Sequence, residues 1–328
     1  MRKILLTGGA GFVGRHFVKR FLEAGDRVIC VDNLAPLTGG IDPRKGWPLF
    51  DPRGFDNFLF HPVDCRDFFR SCKDTDFDYV LHLAAVVGGR EIIENNPLAV
   101  ADDLSIDSQY WQWAVETKPK QTICFSSSAA YPIHLQTQSN YRLLKESDIG
   151  FDDSIGQPDM SYGWAKLTHE YLALLAYEKH GIHSVTYRPF SGYGEDQDDC
   201  YPFPSICKRA LLNRDRSRLT VWGTGEQMRD FIHIDDCVDG VLATMDEIRD
   251  GSALNLSTGI HTSFLEFARM AANIVGYDPE VSGLSDKPSG VFARGGDTQK
   301  QRDYGFQHKI GFAEGIAHAL RYFESSTV

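Results

Sequence analysis

Seven residues near the start of the chain restrict its fold more than anything that follows them. Gly8-Gly9-Ala10-Gly11-Phe12-Val13-Gly14 lies between a short apolar run, Lys3 to Thr7, and a segment, His16 to Ala24, whose apolar residues recur at helical spacing until Gly25 ends it. A strand that turns through glycines into a helix, followed by a second strand-like run at Arg27 to Asp32, opens a βαβ unit. Glycines at the first, fourth and seventh places leave bare backbone for a pyrophosphate, and the helix N-terminus aims its N–H groups at it. Asp32 closes the second strand with a carboxylate placed to accept both hydroxyls of an adenosine ribose. That carboxylate repels a 2′-phosphate, and Asn33 and Leu34 beside it offer no cation, so the pattern selects NAD over NADP. Asp64, followed by Cys65, is a candidate acceptor for the adenine amino group; its other reading is a solvated loop carboxylate.

Further β-type runs follow at Tyr79 to Leu83, Thr122 to Ser126 and Ser184 to Tyr187, separated by segments long enough for helices, Pro97 to Thr117 and Tyr162 to Lys179. The expected class is α/β, a Rossmann fold with a doubly wound parallel sheet. Pro, Gly and Asp then crowd Pro189 to Pro204, and irregular alternation to the C-terminus suggests a smaller second α/β unit. Asp230 to Ile248 reads as a strand and helix that return to the first unit. The expected domains are therefore 1–188 plus about 230–250, and 189–229 plus about 251–328.

The composition of the 328 residues, 42% hydrophobic and 24% charged, excludes disordered and low-complexity classes. A formal charge of -11 argues against nucleic acid or an anionic membrane surface as the main partner. The seven cysteines are an odd number, scattered and without a C-x-x-C pair, so neither a disulfide framework nor a zinc site is expected, and a reducing, cytoplasmic setting fits. No apolar run approaches the roughly 20 residues of a membrane span, and the N-terminal apolar stretch is too short for a signal peptide. His82, His169 and His233 are not at metal-ligand spacing and read as structural. The acidic run Asp196 to Asp199 reads as a solvated loop.

Tyr162 and Lys166, four positions apart in Ser161-Tyr162-Gly163-Trp164-Ala165-Lys166, share one helix face one turn apart. An ammonium beside a phenol, with a cationic nicotinamide nearby, favours the phenolate and makes it a usable base. The pair follows a strand ending in Phe125-Ser126-Ser127-Ser128-Ala129-Ala130-Tyr131-Pro132, whose hydroxyls can reach the same substrate oxygen.

With these parts in this order the chain resembles the extended short-chain dehydrogenase/reductase family of nucleotide-sugar epimerases, dehydratases and reductases over essentially its whole length. The matching motifs are the glycine loop, Asp32, His82-Leu83-Ala84-Ala85, the serine run, Tyr162 with Lys166, Arg188-Pro189-Phe190-Ser191-Gly192-Tyr193-Gly194, and Val221-Trp222-Gly223 through Arg229-Asp230-Phe231-Ile232-His233-Ile234-Asp235-Asp236. The resemblance implies that Ser127 is the hydroxyl donor, with Ser128 as the neighbouring choice, that Tyr162 is base or acid, and that Lys166 holds the nicotinamide ribose. It implies diphosphate contacts from Arg229 and Arg294. It adds Leu83, Ala84 and Ala85 to a cofactor set of Gly8, Gly11, Phe12, Val13, Gly14, Asp32, Asn33, Asp64 and Cys65. Ser191 stands where relatives usually carry an asparagine.

The stretch Ala85-Val86-Val87-Gly88-Gly89-Arg90, with Tyr131-Pro132 and Val221-Trp222-Gly223-Thr224-Gly225, looks most like GDP-mannose 3,5-epimerase and GDP-fucose synthase, which makes Gly88, Gly89 and Arg90 substrate-binding candidates. Those enzymes carry a cysteine where this chain has Ala129, and a Lys or His in a loop that here reads Glu195 to Tyr201. Dehydratases carry an acidic residue just after the hydroxyl donor, where this chain has Ser128, Ala129 and Ala130. A 4-epimerase needs none of these groups and stands first. A C4 dehydrogenase or reductase and a 3,5-epimerase-like enzyme follow, and an NAD-sensing scaffold is the alternative outside enzymes. The resemblance further implies a homodimer built on the helices around 97–117 and 162–179, where Tyr110, Trp111 and Trp113 are either interface or core.

Overall fold

The computed structural model describes residues 1–36, 39–88, 90–152, 155–287 and 289–326, with the backbone alone at 90–92. Near-continuous apolar runs such as Ile4-Leu5-Leu6 and Val28-Ile29-Cys30-Val31 can be buried on both faces only in a sheet covered on both sides. They form the centre of one. Strands β1 (Lys3–Thr7), β2 (Arg27–Val31), β3 (Phe58–His61), β4 (Tyr79–His82), β5 (Gln121–Phe125), β6 (Ser184–Pro189) and β7 (Asp250–Leu256) make a parallel seven-stranded sheet in the order β7-β6-β5-β4-β1-β2-β3. The order reverses between β1 and β4, so their carboxyl ends open a crevice. The register places Thr7 beside His82 there.

The principal helices are α1 (Phe12–Glu23), α2 (Cys65–Ser71), α3 (Asp102–Thr117), α4 (Met160–His180), α5 (Pro202–Leu212), α6 (Ile234–Thr244), α7 (Phe264–Val275) and α8 (Phe312–Ser326). One face of the sheet is covered by α1 and α6, through Phe17, Phe21, Val238 and Val241. The other is covered by α2, α3 and α4, through Phe69, Tyr110, Trp113 and Ala173. Tyr110, Trp111 and Trp113 are therefore core residues, not interface residues. A second core, including Phe203, Leu219, Phe267 and Ile316, joins α5, α7 and α8 to a parallel pair of strands at Arg218–Trp222 and Glu280–Leu284.

Two features differ from the sequence-based expectation. Residues 250–256, placed with the second unit, are the edge strand of the large sheet, and Leu254 and Leu256 belong to its core. The segment expected as one helix from Pro97 to Thr117 is two, Pro97–Val100 and α3.

Candidate active site

The glycine loop is built to a tolerance that a side chain would break. Gly8 has φ +71, and a Cβ there would lie 2.7 Å from the backbone of Leu83 and Ala84, which is how the first turn and the end of β4 come to share one wall of the crevice. A Cβ on Gly14 would lie 2.4 Å from the Gly8 carbonyl oxygen. Gly11 is the N-cap of α1, with Phe12 and Val13 in its first turn, so the helix N-terminal N–H groups face the loop. Asp32, nearly buried at the end of β2, accepts from Ala10 N (3.0 Å) and Leu34 N (2.8 Å). Burial pushes its carboxyl up, and these N–H groups pull it back. The backbone cradle and the acidic residue at the end of β2 fit a dinucleotide with a free ribose 2′-hydroxyl.

Other members of the expected cofactor set also have partners within the protein. Asp64 caps α2 by accepting from Arg66 N (2.9 Å), and both its oxygens receive the Arg66 guanidinium. Asn33 accepts from Ala35 N. Cys65 is buried in the core with Val31 and Phe69, where burial pushes its thiol up to about 12. Gly88 is buried, while Gly89 and the side chain of Arg90 lie outside the described residues.

At the carboxyl end of β5 the chain turns through Ser127, whose Oγ accepts from Ala129 N (3.1 Å). The turn meets α4 almost without clearance. Asp159 N donates to the Ala129 carbonyl (2.9 Å), and a Cβ on Gly163 would lie 2.4 Å from that same oxygen. This contact sets Ser127 and Tyr162 side by side on the wall of a cavity of about 470 Å³. Lys166 is almost fully buried, its Nζ 5.6 Å from the centre of the Tyr162 ring. Burial pushes the Tyr162 phenol up, against the opposing pull of the Lys166 ammonium and the Ser127 hydroxyl. Burial also works against the charge on Lys166, but Tyr162, Asp103 and Asp107 outweigh it and hold the ammonium above its usual range. Met160, the first residue of α4, has φ +59 and lines the same cavity, a strained backbone at the entry to the helix that carries the tyrosine.

The second unit contributes much of the remaining wall, including Cys200, Tyr201, Arg209, Trp222, Arg229, Phe264 and Arg294. Arg229 donates to the carbonyls of Met228 (2.7 Å) and Val291 (3.0 Å). Arg294 is paired with Asp159 (2.7 Å) and donates to Gln136 (2.7 Å). Arg209, not anticipated from the sequence, donates to the carbonyls of Ser205 and Thr220, and burial lowers it. No motif marks it; only its place on α5 does. Ser128 is buried and Ser191 sits at φ +29, and neither lines the cavity. Ala129 is where the sequence reading places it, on the wall beside Ser127.

Behind Lys166 lies a buried polar cluster that the sequence did not reveal. Asp107 Oδ1 is 3.1 Å from His82 Nε2 and 3.1 Å from His169 Nδ1, and the Thr7 hydroxyl donates to His82 Nδ1 (2.7 Å). Burial drives His82 down to about 4, whereas Asp107 overrides burial and holds His169 up at about 10. Asp103, pushed up to about 6 by burial, accepts from Val86 N in the loop after β4 and leaves its other oxygen without a partner. At Asp196, though not at Asp198 and Asp199, the acidic run departs from a solvated loop. Asp196 is buried, paired with Arg15 (2.8 Å) and His16 (2.9 Å) of α1, while Asp199 and Cys200 are exposed.

Residues 4–257 match the model of the NAD dependent epimerase/dehydratase family. GDP-mannose 3,5-epimerase from Arabidopsis thaliana is 28% identical over 323 residues, covering 95% of this chain and 78% of that protein. UDP-glucose 4-epimerase from Thermotoga maritima shares the fold with a TM-score of 0.82 at 23% identity, over 99% of this chain and 100% of that one. The dTDP-glucose 4,6-dehydratase of Streptomyces venezuelae, solved with NAD bound, shares it with a TM-score of 0.83 at 21% identity, over 98% and 97% of the two chains. Among the described residues no helix is long and apolar enough to cross a membrane.

Proposed function

The chain belongs to the NAD dependent epimerase/dehydratase family, and on that premise we propose that it is a nucleotide-sugar 4-epimerase. Its substrate is a GDP- or UDP-hexose oxidised transiently at C4. The observation that carries this reading is the wall around Ser127 and Tyr162. Ala129 stands beside the serine, and the lining carboxylates Asp159 and Asp199 are engaged by Arg294 and Lys208. Dehydration needs an acidic group beside the hydroxyl donor, and C3 or C5 epimerisation needs an acid and a base on the sugar's faces. A C4 inversion needs only room for the ketone to turn, and a cavity of about 470 Å³ gives it.

NAD, held by the glycine loop, Asp32, the end of β4 and Lys166, supplies the hydride acceptor and donor. Tyr162 takes the proton of the C4 hydroxyl and returns it to the same oxygen once the ketone has turned its other face toward the nicotinamide site, and Ser127 donates to that oxygen. Lys166 holds the phenolate by charge. Arg229 and Arg294 grip the diphosphate, with Arg209 beside them, as guanidinium forks suit paired phosphates. We place the working unit as a homodimer through α3 and α4, in a cytoplasmic setting.

One observation favours a second reading. Cys200 lines the cavity, and a thiol there is a candidate acid for a 3,5-type epimerisation. Proton NMR of the protein with NAD and a panel of GDP- and UDP-hexoses in deuterated water separates the cases. A product inverted at C4 without deuterium is expected. Deuterium at C3 or C5 that disappears in Cys200→Ala establishes the second reading instead, and a released ketone with one NADH per sugar means a dehydrogenase. Tyr162→Phe should lower turnover by about 10²- to 10⁴-fold. An unchanged rate would remove the tyrosine from the chemistry.

A further inference from the structure

Histidines far apart in the sequence converge on one carboxylate at the junction of the two units. Glu195 follows the turn after β6, His233 caps the N-terminus of α6, and His318 lies in α8. One side-chain donor atom of each lies within 4.8 Å of the other two. The two oxygens of Glu195 divide between the rings: Oε2 is 3.5 Å from His233 Nε2 and Oε1 is 3.8 Å from His318 Nδ1. Both separations exceed a good hydrogen bond. The shorter falls within the ligand-to-ligand spacing around a tetrahedral ion, about 3.3–3.6 Å for bonds of about 2.0–2.2 Å, and the longer lies just beyond it.

Two further observations point the same way. His233 is buried, 1% exposed, and its Nε2 has no hydrogen-bond partner although it faces the cluster. Each ring also has a carboxylate behind its other nitrogen. Asp235 Oδ2 is 3.8 Å from His233 Nδ1, and Glu314 Oε1 is 3.9 Å from His318 Nε2. A histidine that ligates a metal commonly donates its remaining ring N–H to such a carboxylate, which fixes the ring and raises its basicity. His233 Nδ1 accepts a long 3.2 Å bond from Asp235 N. Ligation through Nε2 exchanges that bond for donation to the Asp235 carboxylate.

We propose that Glu195, His233 and His318 form a zinc site, with a water in the fourth position on the side where His318 is one-third exposed. Two imidazoles and one carboxylate suit zinc, whereas Mg²⁺ and Ca²⁺ take oxygen ligands. The ion ties α8 to the loop whose next residue, Asp196, is clamped to Arg15 and His16 of α1. It therefore braces the substrate unit against the NAD-binding unit at a place that is not the cavity of Ser127 and Tyr162.

The test is calorimetric titration of the chelator-stripped full chain with Zn²⁺ at pH 7.5, alongside His318→Gln, Glu195→Gln and a Cys200→Ser control for the exposed thiol. One zinc per chain is expected, weakened at least tenfold in both ligand variants and unchanged in Cys200→Ser. NAD affinity and the far-ultraviolet circular dichroism of the variants should match the parent, and Mg²⁺ should give no heat. An anomalous difference peak at the zinc edge between the three side chains would place the ion. Failure to bind stoichiometric zinc, or binding that survives both ligand variants, overturns the proposal, and neither result bears on the chemistry at Tyr162.

Discussion

At the scale of single residues, Gly163 and Asp103 show how tightly the site is set. Replacing a helical glycine by alanine ordinarily stabilises a helix by up to about 1 kcal/mol. At Gly163 the added Cβ would lie 2.4 Å from the Ala129 carbonyl oxygen, so α4 must move off the turn that carries Ser127. Displacements of that order between reacting groups cost about 100-fold in rate. Gly163→Ala should therefore lower kcat about 100-fold while its melting temperature fails to rise, and a more stable, equally active variant would refute the contact. For Asp103 the prediction concerns stability. Its folded-state carboxyl is pushed up to about 6 from 3.8, so between about pH 4 and pH 6 the folded chain holds a proton that the unfolded chain has released. Stability from this group consequently falls as pH rises through that window, by about 3 kcal/mol at about 1.4 kcal/mol per unit. Asp103→Asn cannot titrate. Its unfolding free energy relative to the parent should be higher at pH 8 than at pH 4 by about that amount, and a pH-independent difference would show that Asp103 is not strained by burial.

At the scale of elements, α4 is fixed by a buried ion pair one turn past Lys166. Glu170 accepts from Arg188 Nε (2.9 Å) and Nη2 and from the Ser126 hydroxyl, and Arg188 Nη1 donates to the Tyr131 hydroxyl (2.9 Å), which donates to Asn255 (2.7 Å). The network joins α4 to the ends of β5, β6 and β7. Glu170→Ala leaves the Arg188 guanidinium buried at 3% exposure without its carboxylate, which costs about 3–5 kcal/mol. The urea midpoint should fall accordingly, with Glu170→Gln intermediate; a midpoint within error of the parent would mean that water has taken the carboxylate's place. The same elements show what the sequence could and could not tell. Strands β1, β2, β4, β5 and β6 were legible within a residue or two because apolar runs bounded by breakers are local signals, and α4 because its pattern is long. Strand β7 was not, because it opens on Asp250-Gly251-Ser252, which disfavour a strand, and its place comes from pairing with β6. Ser127 followed only from the family resemblance, whereas Tyr162 and Lys166 were readable as one helix face from their spacing. Asp103, Asp107, His169 and Arg209 were not, since their roles come from what the fold packs against them.

At the scale of the whole molecule, burial of Tyr110, Trp111 and Trp113 removes those residues from the argument for a dimer and transfers it to others. Trp164 and Tyr171 lie seven positions apart on one face of α4 and stay 49% and 44% exposed, and Leu104 of the adjacent α3 is 42% exposed. Isolated exposed apolar residues are ordinary, but two aromatic rings on one face of a helix, with an exposed leucine on the helix packed against it, are what a symmetric helical interface buries. In a two-fold arrangement each helix meets its own copy, so a single carboxylate appears twice at the contact and repels itself. Trp164→Glu combined with Tyr171→Glu should therefore convert a dimer near 74 kDa, about twice the 36.8 kDa chain, into a monomer by light scattering after size exclusion. Because Trp164 and Tyr171 point out of α4 while Tyr162 and Lys166 point in, the monomer should still bind NAD. A parent chain that runs as a monomer at micromolar concentration, or a double variant that remains a dimer, would place the interface elsewhere or nowhere.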